Sequence, residues 1–176
     1  MAHVTVGTAT RAEDYLNRLA ERLVIEGYRL LAGAASDGGT PSLFGTLCLY
    51  QNELGVSAGA EAAAALERFM TSLKACAINP LTAYRPGSRF ISPDEVLVLG
   101  IICGIQHWDE QIFRVCLTQL CTKTDLLKVA ASAETFAMTL RNCGVILTPL
   151  PLSLRARITR QSETKRHTST GATTLH

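Results

Sequence analysis

The segment SPDEVLVLGIICGIQ, residues 92–106, indicates the fold class of this chain. Ser92 is a preferred helix N-cap, Pro93 suits the first helical position, and the two acidic residues that follow complement the positive end of a helix dipole. The rest of the segment is apolar around the whole helical circumference, which is typical of a helix with neighbours on every side. It therefore predicts a helix of about residues 94–106 at the centre of an all-α bundle.

Two glycines inside that helix predict how it packs. Gly100 and Gly104 lie about one turn apart, so they share a face of the helix. Glycine costs about 1 kcal/mol relative to alanine within a helix. We therefore expect another backbone to approach closely at this pair.

Helical patterns continue outward from the central segment in both directions. Residues 10–13, TRAE, form a capping box that begins a helix ending near Gly33. Residues 41–54 fit a helix with Pro41 in its first turn, although an apolar alternation within them leaves a strand open. Further helices are predicted at 57–77, 109–121 and 124–143. The expected fold is a compact bundle of about five to six helices.

The C-terminal end differs from the rest in composition. Residues 145–148 predict an extended segment, and the two prolines after it are expected to exclude a helix there. From Ser153 the chain is rich in Ser, Thr and Arg and has few apolar residues, so we expect it to be disordered. The predicted organisation is a helical domain over residues 1–152 and a disordered basic tail over residues 153–176.

The composition predicts a partner. Hydrophobic residues make up 47% of the chain and charged residues 18%, whereas about a quarter of a typical globular chain is charged. The formal net charge is +2, with a slight acidic excess in the body and five Lys and Arg residues after Ser153. A chain with surplus apolar surface buries it in a homodimer or against a permanent partner, so protein–protein contact is expected.

Nothing in the sequence indicates a membrane or the secretory route. Residues 1–12 contain no apolar core, and the longest apolar run, residues 96–105, is about half of the roughly twenty residues that span a bilayer. Six cysteines stand in apolar surroundings, where free thiols act as small core residues. We therefore expect a cytoplasmic protein with no membrane contact and no disulfides.

Cysteine and histidine residues bear on metal binding and catalysis. Cys103 and His107 are four residues apart on the central helix, and Cys116 and Cys121 lie on the next helix, which is a possible tetrahedral zinc set. The spacing of the second pair directs its two thiols apart. Cys103 stands in too apolar a setting for a catalytic thiol. We therefore expect buried thiols, no metal, no cofactor and no enzymatic activity.

The last third of the body suggests an alternative function. Its pattern is a helix, a break, a second helix, a glycine and an extended segment, at 125–130, 131–133, 134–143, Gly144 and 145–147. This pattern resembles the winged-helix family within about residues 110–148. The resemblance implies that the second helix enters the major groove of DNA. A single uninterrupted helix over 125–143 is the other interpretation, because the segment is rich in alanine.

The sequence thus predicts a non-enzymatic regulatory or adaptor protein that acts through protein–protein contacts and self-associates. The alternative is a small DNA-binding transcriptional regulator that uses the last helices and the basic tail. Trp108, the only tryptophan, stands at a helix junction and is expected to anchor packing. The expected contacts with a partner or with nucleic acid are Arg141, Arg155, Arg157, Arg160, Lys165 and Arg166.

Overall fold

The computed structural model describes residues 16–32, 42–122 and 125–160. In chain order its helices are α1 (Leu19–Ala32), α2 (Leu43–Leu54), α3 (Val56–Cys76), α4 (Pro93–Gln106), α5 (Glu110–Leu120), α6 (Leu126–Asn142) and α7 (residues 152–160). The predicted all-α bundle is confirmed, and the capping box predicted at residues 10–13 lies outside the described residues. None of the described helices combines the length and the apolar character that a bilayer span requires.

Local signals set the helix ends. The Ser92 hydroxyl accepts a hydrogen bond from the Glu95 N–H at 3.1 Å, and the Glu95 carboxylate accepts one from the Ser92 N–H at 2.7 Å. The predicted start of α4 is therefore confirmed. Ser42 caps α2 by accepting the Gly45 N–H at 3.0 Å. The segment at residues 41–54, for which the sequence also allowed a strand, therefore forms a helix.

Helix α4 lies at the centre of the bundle, packed against α1, α5 and α6. Residues 96–104 are buried without exception. A Cβ atom added to Gly100 would lie 2.4 Å from the Sγ of Cys116, and one added to Gly104 would lie 2.9 Å from the backbone N of Phe113. Both glycines face α5, so the predicted close approach is confirmed and its partner is α5.

Helix α3 packs between α2 and α6 and carries part of an aromatic cluster. Phe136 of α6 stacks on Phe69 of α3 and meets Tyr50 of α2 edge-on, with ring centroids 6.3 Å apart in both pairs. The Tyr50 hydroxyl donates to the Leu23 carbonyl of α1 at 2.9 Å. These contacts extend one continuous core from α1 to α6.

A buried ion pair holds the loop between α3 and α4. Arg29 of α1 donates to the Glu95 carboxylate at 2.8 Å, and both side chains are fully buried. The same guanidinium donates to the loop carbonyls of Ser88 and Phe90. Removing one member of a buried pair costs about 3–5 kcal/mol, because the other charge is left uncompensated. This irregular loop is therefore fixed in place by the core beneath it.

Residues 153–160 correct the sequence prediction of disorder. They belong to α7, whose Leu154 and Ile158 are 5% and 2% exposed. These side chains lie one helical turn apart, so a short helix buries both on one face despite its low apolar content. The Gln119 amide of α5 also donates to the Ile158 carbonyl at 3.1 Å. The predicted disorder therefore does not hold for residues 153–160, and residues 161–176 lie outside the described residues.

Residues 145–151, between α6 and α7, belong to no helix or strand. The buried side-chain amide of Gln106 donates to the carbonyls of Ala137 and Val145 at 3.1 and 3.0 Å. Its oxygen accepts the Leu147 N–H at 2.8 Å. A glutamine of α4 thus satisfies backbone groups that would otherwise be buried without partners.

Candidate functional site

The corner between α4 and α5, residues 106–109, ends one helix and leads into the next. The Asp109 N–H donates to the Gly104 carbonyl at 2.8 Å, and the Trp108 N–H donates to the Ile105 carbonyl at 3.3 Å. This is the Schellman pattern, in which the residue just after the helix cap adopts a left-handed conformation. Trp108 occupies that position, with a φ of 56°. We call residues 106–109 the Trp108 corner.

Gly144 is the residue type that such a helix ending usually contains. After α6, the Val145 N–H donates to the Leu140 carbonyl and the Gly144 N–H to the Arg141 carbonyl, both at 2.9 Å. Gly144 adopts a φ of 75°, which glycine does without a steric penalty. An L residue in this conformation costs roughly 1–2 kcal/mol. Among the described residues, Trp108 is the only one other than glycine with a positive φ.

Two arginines from distant helices hold the Trp108 corner. Arg141 of α6 donates to the Gln106 carbonyl at 2.5 Å, where α4 ends. Arg155 of α7 forms an ion pair with Asp109, which is largely buried. A charged donor strengthens each of these contacts relative to a neutral hydrogen bond. Both arginines thus support the backbone on which Trp108 stands.

The remaining backbone of the corner is fixed by two further side-chain contacts. The His107 ring donates through Nε2 to the Leu147 carbonyl at 2.7 Å. The Asp109 carboxylate accepts the Ile112 N–H at 3.1 Å and so caps α5. The backbone is therefore held on both sides of Trp108, at Gln106 and His107 before it and at Asp109 after it, and these contacts maintain its left-handed conformation.

The Trp108 side chain is 80% exposed, which corrects the prediction that it anchors packing. Complete burial of a large apolar side chain is worth about 1.5–3 kcal/mol, and most of that gain is not realised at this position. Exposure and an unfavourable backbone conformation thus coincide at one residue. Residues held in such conformations cluster at functional sites.

A groove opens beside Trp108 where α4, α5 and α6 meet, with a volume of about 360 Å³. Its lining consists of the aromatic Trp108 and Phe113, the small or aliphatic Gly104, Ile105 and Ala130, and the acidic Glu110 and Glu134. We call it the Trp108 groove. Leu127 is 87% exposed and precedes Ala130 by about one turn of α6, so it extends the apolar surface along the same face.

The two glutamates make the groove electronegative. Glu110 lies 3.6 Å from the Arg114 guanidinium, but both side chains are largely exposed, and such surface pairs contribute little. Glu134 is exposed and pairs with no basic group in the described part of the chain. An apolar lining beside two exposed carboxylates suits a ligand that is apolar on one side and cationic on the other.

The predicted contact residues are engaged within the chain where the structure describes them. Arg141 and Arg155 are the supports of the Trp108 corner. On α7, Arg157 is half-buried, and Arg160 donates to a backbone carbonyl one turn earlier at 3.3 Å. The last two predicted contacts, Lys165 and Arg166, lie outside the described residues.

The winged-helix interpretation is wrong at the level of secondary structure. Helix α6 runs from Leu126 to Asn142 without the break expected at 131–133. The Ser132 hydroxyl donates to the Val129 carbonyl at 2.9 Å and is accommodated inside the helix. The segment that follows Gly144 forms no strand with any other described part of the chain. The interpretation as a single helix is confirmed.

Cys103 and His107 are each bonded to a backbone carbonyl. The Cys103 thiol donates to the Thr148 carbonyl at 3.5 Å, and the His107 ring donates to the Leu147 carbonyl. Burial raises the pKa of the Cys103 thiol and raises the pKa of the Cys116 thiol to about 12. A thiol with a raised pKa is protonated at neutral pH and is a poor nucleophile. This geometry does not favour cysteine catalysis.

The four candidate zinc ligands lie in two separate places. Cys116 lies against Gly100 and close to Cys103, whereas Cys121 lies beside Cys76, where the backbones of Ala77 and Cys121 pair. The expected divergence of Cys116 and Cys121 is thus present. Within the described ranges, no three side chains of the kinds that bind metals come together.

Trp108 is the functional candidate that the sequence did not identify as a surface residue. The available signal was that residues 107–109 end an apolar helix without a glycine or a proline. A helix that ends in this way needs a left-handed residue of another type or a different termination. The exposure of the ring depends on how α6 and α7 pack, which no local pattern indicates.

No family model, curated protein or solved structure matches this chain. The function proposed below therefore rests on the geometry of the chain itself.

Proposed function

We propose that the chain is a non-enzymatic regulatory or adaptor protein that acts by protein–protein contact at the Trp108 groove. The observation that carries the proposal is the exposed Trp108 ring in a left-handed conformation. Tryptophan is enriched among the few interface residues that supply most of the binding free energy. A partner that covers the ring would recover the burial that folding leaves unrealised.

The rigidity of the site supports the same proposal. Arg141 and Arg155 hold the backbone around Trp108 through charged contacts from two other helices. A side chain displayed on a fixed backbone loses less conformational freedom on binding than one on a mobile loop. The Trp108 corner is therefore suited to recognition.

Self-association and a cytoplasmic location stay predictions that belong to this proposal. The supporting observation is the apolar composition, with 47% hydrophobic and 18% charged residues. Sedimentation velocity over a range of concentrations measures self-association directly. The emission of Trp108, the only tryptophan, shifts to shorter wavelength if the contact covers it.

The experiment that tests the proposal compares two alanine variants in affinity capture from cells that express the chain. Trp108→Ala removes the exposed ring, and Val56→Ala is a control at an apolar residue of α3 that is 77% exposed. We expect at least one protein, or the chain itself, to be retained by the unmodified chain and by the control. The Trp108→Ala variant should no longer retain that protein. When the retained protein is purified and added to the unmodified chain, it should shift the Trp108 emission.

Two results would contradict the proposal. One is a chain that stays monomeric and retains no protein in a Trp108-dependent manner. The other is a retained protein that binds Trp108→Ala as strongly as the unmodified chain. Either result leaves the exposed ring without a binding role.

DNA binding stays the alternative prediction, although its structural premise is missing. Lys128 and Arg141 are about 20 Å apart along α6 and well over a quarter-turn apart around it, from the rise and pitch of an α-helix. They therefore do not form one basic face. Fluorescence anisotropy with random-sequence duplex DNA tests the alternative. Binding that weakens steeply with salt would favour it.

A further inference from the structure

Resting on the proposed function, we infer that the Trp108 groove takes an amphipathic helix of a partner protein with leucine-type residues on one face and lysine or arginine beside them. The volume of about 360 Å³ is near the lower end of the roughly 300–1,000 Å³ of small ligand pockets. It accommodates side chains from one face of a helix. Recognition of a helix in an apolar groove is a recurrent mode of peptide binding.

The lining of the groove selects apolar side chains at its centre. Ile105, Phe113 and Ala130 supply apolar surface from three helices, and Trp108 supplies an exposed ring. Leu127 continues this surface along α6. An amphipathic helix presents residues at one-turn intervals, which matches the interval between Leu127 and Ala130.

The charge of the groove selects a basic partner. Glu110 and Glu134 both line it, and Arg114 partners Glu110 only through an exposed contact. Lysine or arginine can lay its aliphatic stem on the Trp108 ring and extend its charged end to a carboxylate. A cation placed there can pair with Glu134 and compete with the exposed Arg114 for Glu110.

A second copy of the chain fits this charge pattern less well. A two-fold contact through the Trp108 groove would bring Glu110 and Glu134 of both copies to one interface. Like charges across an interface are strongly unfavourable. Lys128 lies on a different face of α6 from Ala130, by the helical spacing, and does not offset them.

The chain itself contains a helix of the inferred kind. Helix α7 buries Leu154 and Ile158 in the core and directs Arg155 to Asp109. Helix α7 therefore packs on the bundle through two kinds of contact, an apolar face in the core and a basic side chain paired with a carboxylate. The Trp108 groove offers the same two chemistries, with its aromatic rings and glutamates.

The test uses two synthetic helical peptides with identical leucine faces, one flanked by lysines and the other by glutamates. Neither peptide contains tryptophan, so the emission of the full chain reports on Trp108 alone. We expect the lysine peptide to bind saturably, to shift the emission to shorter wavelength and to bind at least about tenfold more tightly than the glutamate peptide. Its affinity should fall with added salt.

Charge variants show whether the groove is the binding site. The double variant Glu110→Gln with Glu134→Gln should bind the lysine peptide roughly tenfold more weakly than the unmodified chain does. Glu61→Gln with Glu67→Gln removes the same charge from exposed positions of α3 and should leave the affinity unchanged. An equal loss in both double variants would mean non-specific attraction and would overturn the inference.

Other outcomes separate this inference from the proposed function. If both peptides bind equally, the partner is not basic, and the inference fails while a contact at Trp108 remains. If the emission of the chain alone shifts with its concentration, a second copy occupies the groove, which overturns the inference and supports the proposed function. If neither peptide affects Trp108, the inference fails, and affinity capture decides the proposed function separately.

Discussion

Trp108 and Gly144 end two helices with the same hydrogen-bond pattern, although only glycine does so without strain. A natural chain tolerates a destabilising residue where its side chain has a function. The free energies of unfolding of variants at Trp108 therefore show whether the indole ring contributes to the stability of the fold.

We predict that Trp108→Gly is more stable than Trp108→Ala. Both variants lose the ring, but only glycine relieves the left-handed strain, so the two free energies of unfolding should differ by about 1–2 kcal/mol. Because both variants lack tryptophan, urea unfolding is followed by far-ultraviolet circular dichroism. If Trp108→Gly is the less stable variant, the corner does not hold this conformation in solution.

Buried thiols make the stability of the protein depend on alkaline pH. Burial raises the pKa of Cys116 from 9.0 to about 12, so the folded thiol stays protonated at pH values where the unfolded thiol ionises. The unfolded state then binds fewer protons than the folded state. The contribution of Cys116 is thus fully present below about pH 9 and is lost as the pH rises towards about 12.

We predict that the free energy of unfolding falls above about pH 9, by up to roughly 1.4 kcal/mol per pH unit for each such thiol. Urea unfolding between about pH 8 and 10 measures the slope of the free energy of unfolding against pH. This pH range is chosen because it limits the contribution of tyrosine ionisation. Cys116→Ala should have a shallower slope than the unmodified chain. An identical slope in that variant would show that Cys116 is not the source.

The approach of α4 to α5 depends on two glycines that meet different atoms. A Cβ at Gly100 meets the Sγ of Cys116 at 2.4 Å, and its next neighbours lie at 3.5 Å or more. A Cβ at Gly104 meets the backbone N of Phe113 at 2.9 Å. The first obstacle is a removable side-chain atom, whereas the second is backbone.

We predict that Gly100→Ala destabilises the chain by about 1–3 kcal/mol and that Cys116→Ala relieves this loss. Without the Sγ, an added methyl group makes ordinary contacts and improves helix propensity by up to about 1 kcal/mol. A double-mutant cycle by urea unfolding measures the coupling. Gly104→Ala is the control, because it should destabilise the chain equally in both backgrounds. The prediction fails if Gly100→Ala is equally harmful with and without the Sγ.

Helix α6 shows why a short motif gave the wrong interpretation. Ala131, Ser132 and Ala133 are all compatible with a helix, and the Ser132 hydroxyl bonds a carbonyl of the preceding turn. Val129, Ala133, Phe136, Ala137 and Leu140 are buried along one face. Continuous packing against α3 and α4 therefore supports one helix over its full length.

The bundle as a whole includes α7, although its sequence resembles a solvated tail. Leu154 and Ile158 are its buried apolar contacts, and Gln119 and Asp109 supply polar contacts from α5 and the Trp108 corner. Burial of two such side chains is worth about 3–6 kcal/mol in total. This is a large part of the stability of an ordinary domain.

We predict that a chain ending at Leu152 is less stable than one ending at Arg160 by about 3–6 kcal/mol. The longer version keeps α7 and serves as the control. Thermal or urea unfolding followed by circular dichroism measures both. Equal stability of the two versions would show that α7 does not contribute to the folded core.

The amino-acid sequence by itself indicated helices at the positions of α1 to α6 and the central position of α4. The cap at Ser92, the apolar residues that follow it and the glycine pair are local features, and each acts through neighbours in the chain or along one helix. Such signals are readable because hydrogen bonding within a helix and helical periodicity depend on residues a few positions apart.

Only the tertiary structure decided which surfaces are exposed and what the charged residues contact. Trp108 lies on the surface because Arg141, Arg155 and His107 hold its backbone from segments far along the chain. The same packing turned predicted contact residues into supports and made α7 part of the core. Burial and pairing depend on surfaces brought together by the fold, and one residue's neighbours in sequence do not specify them.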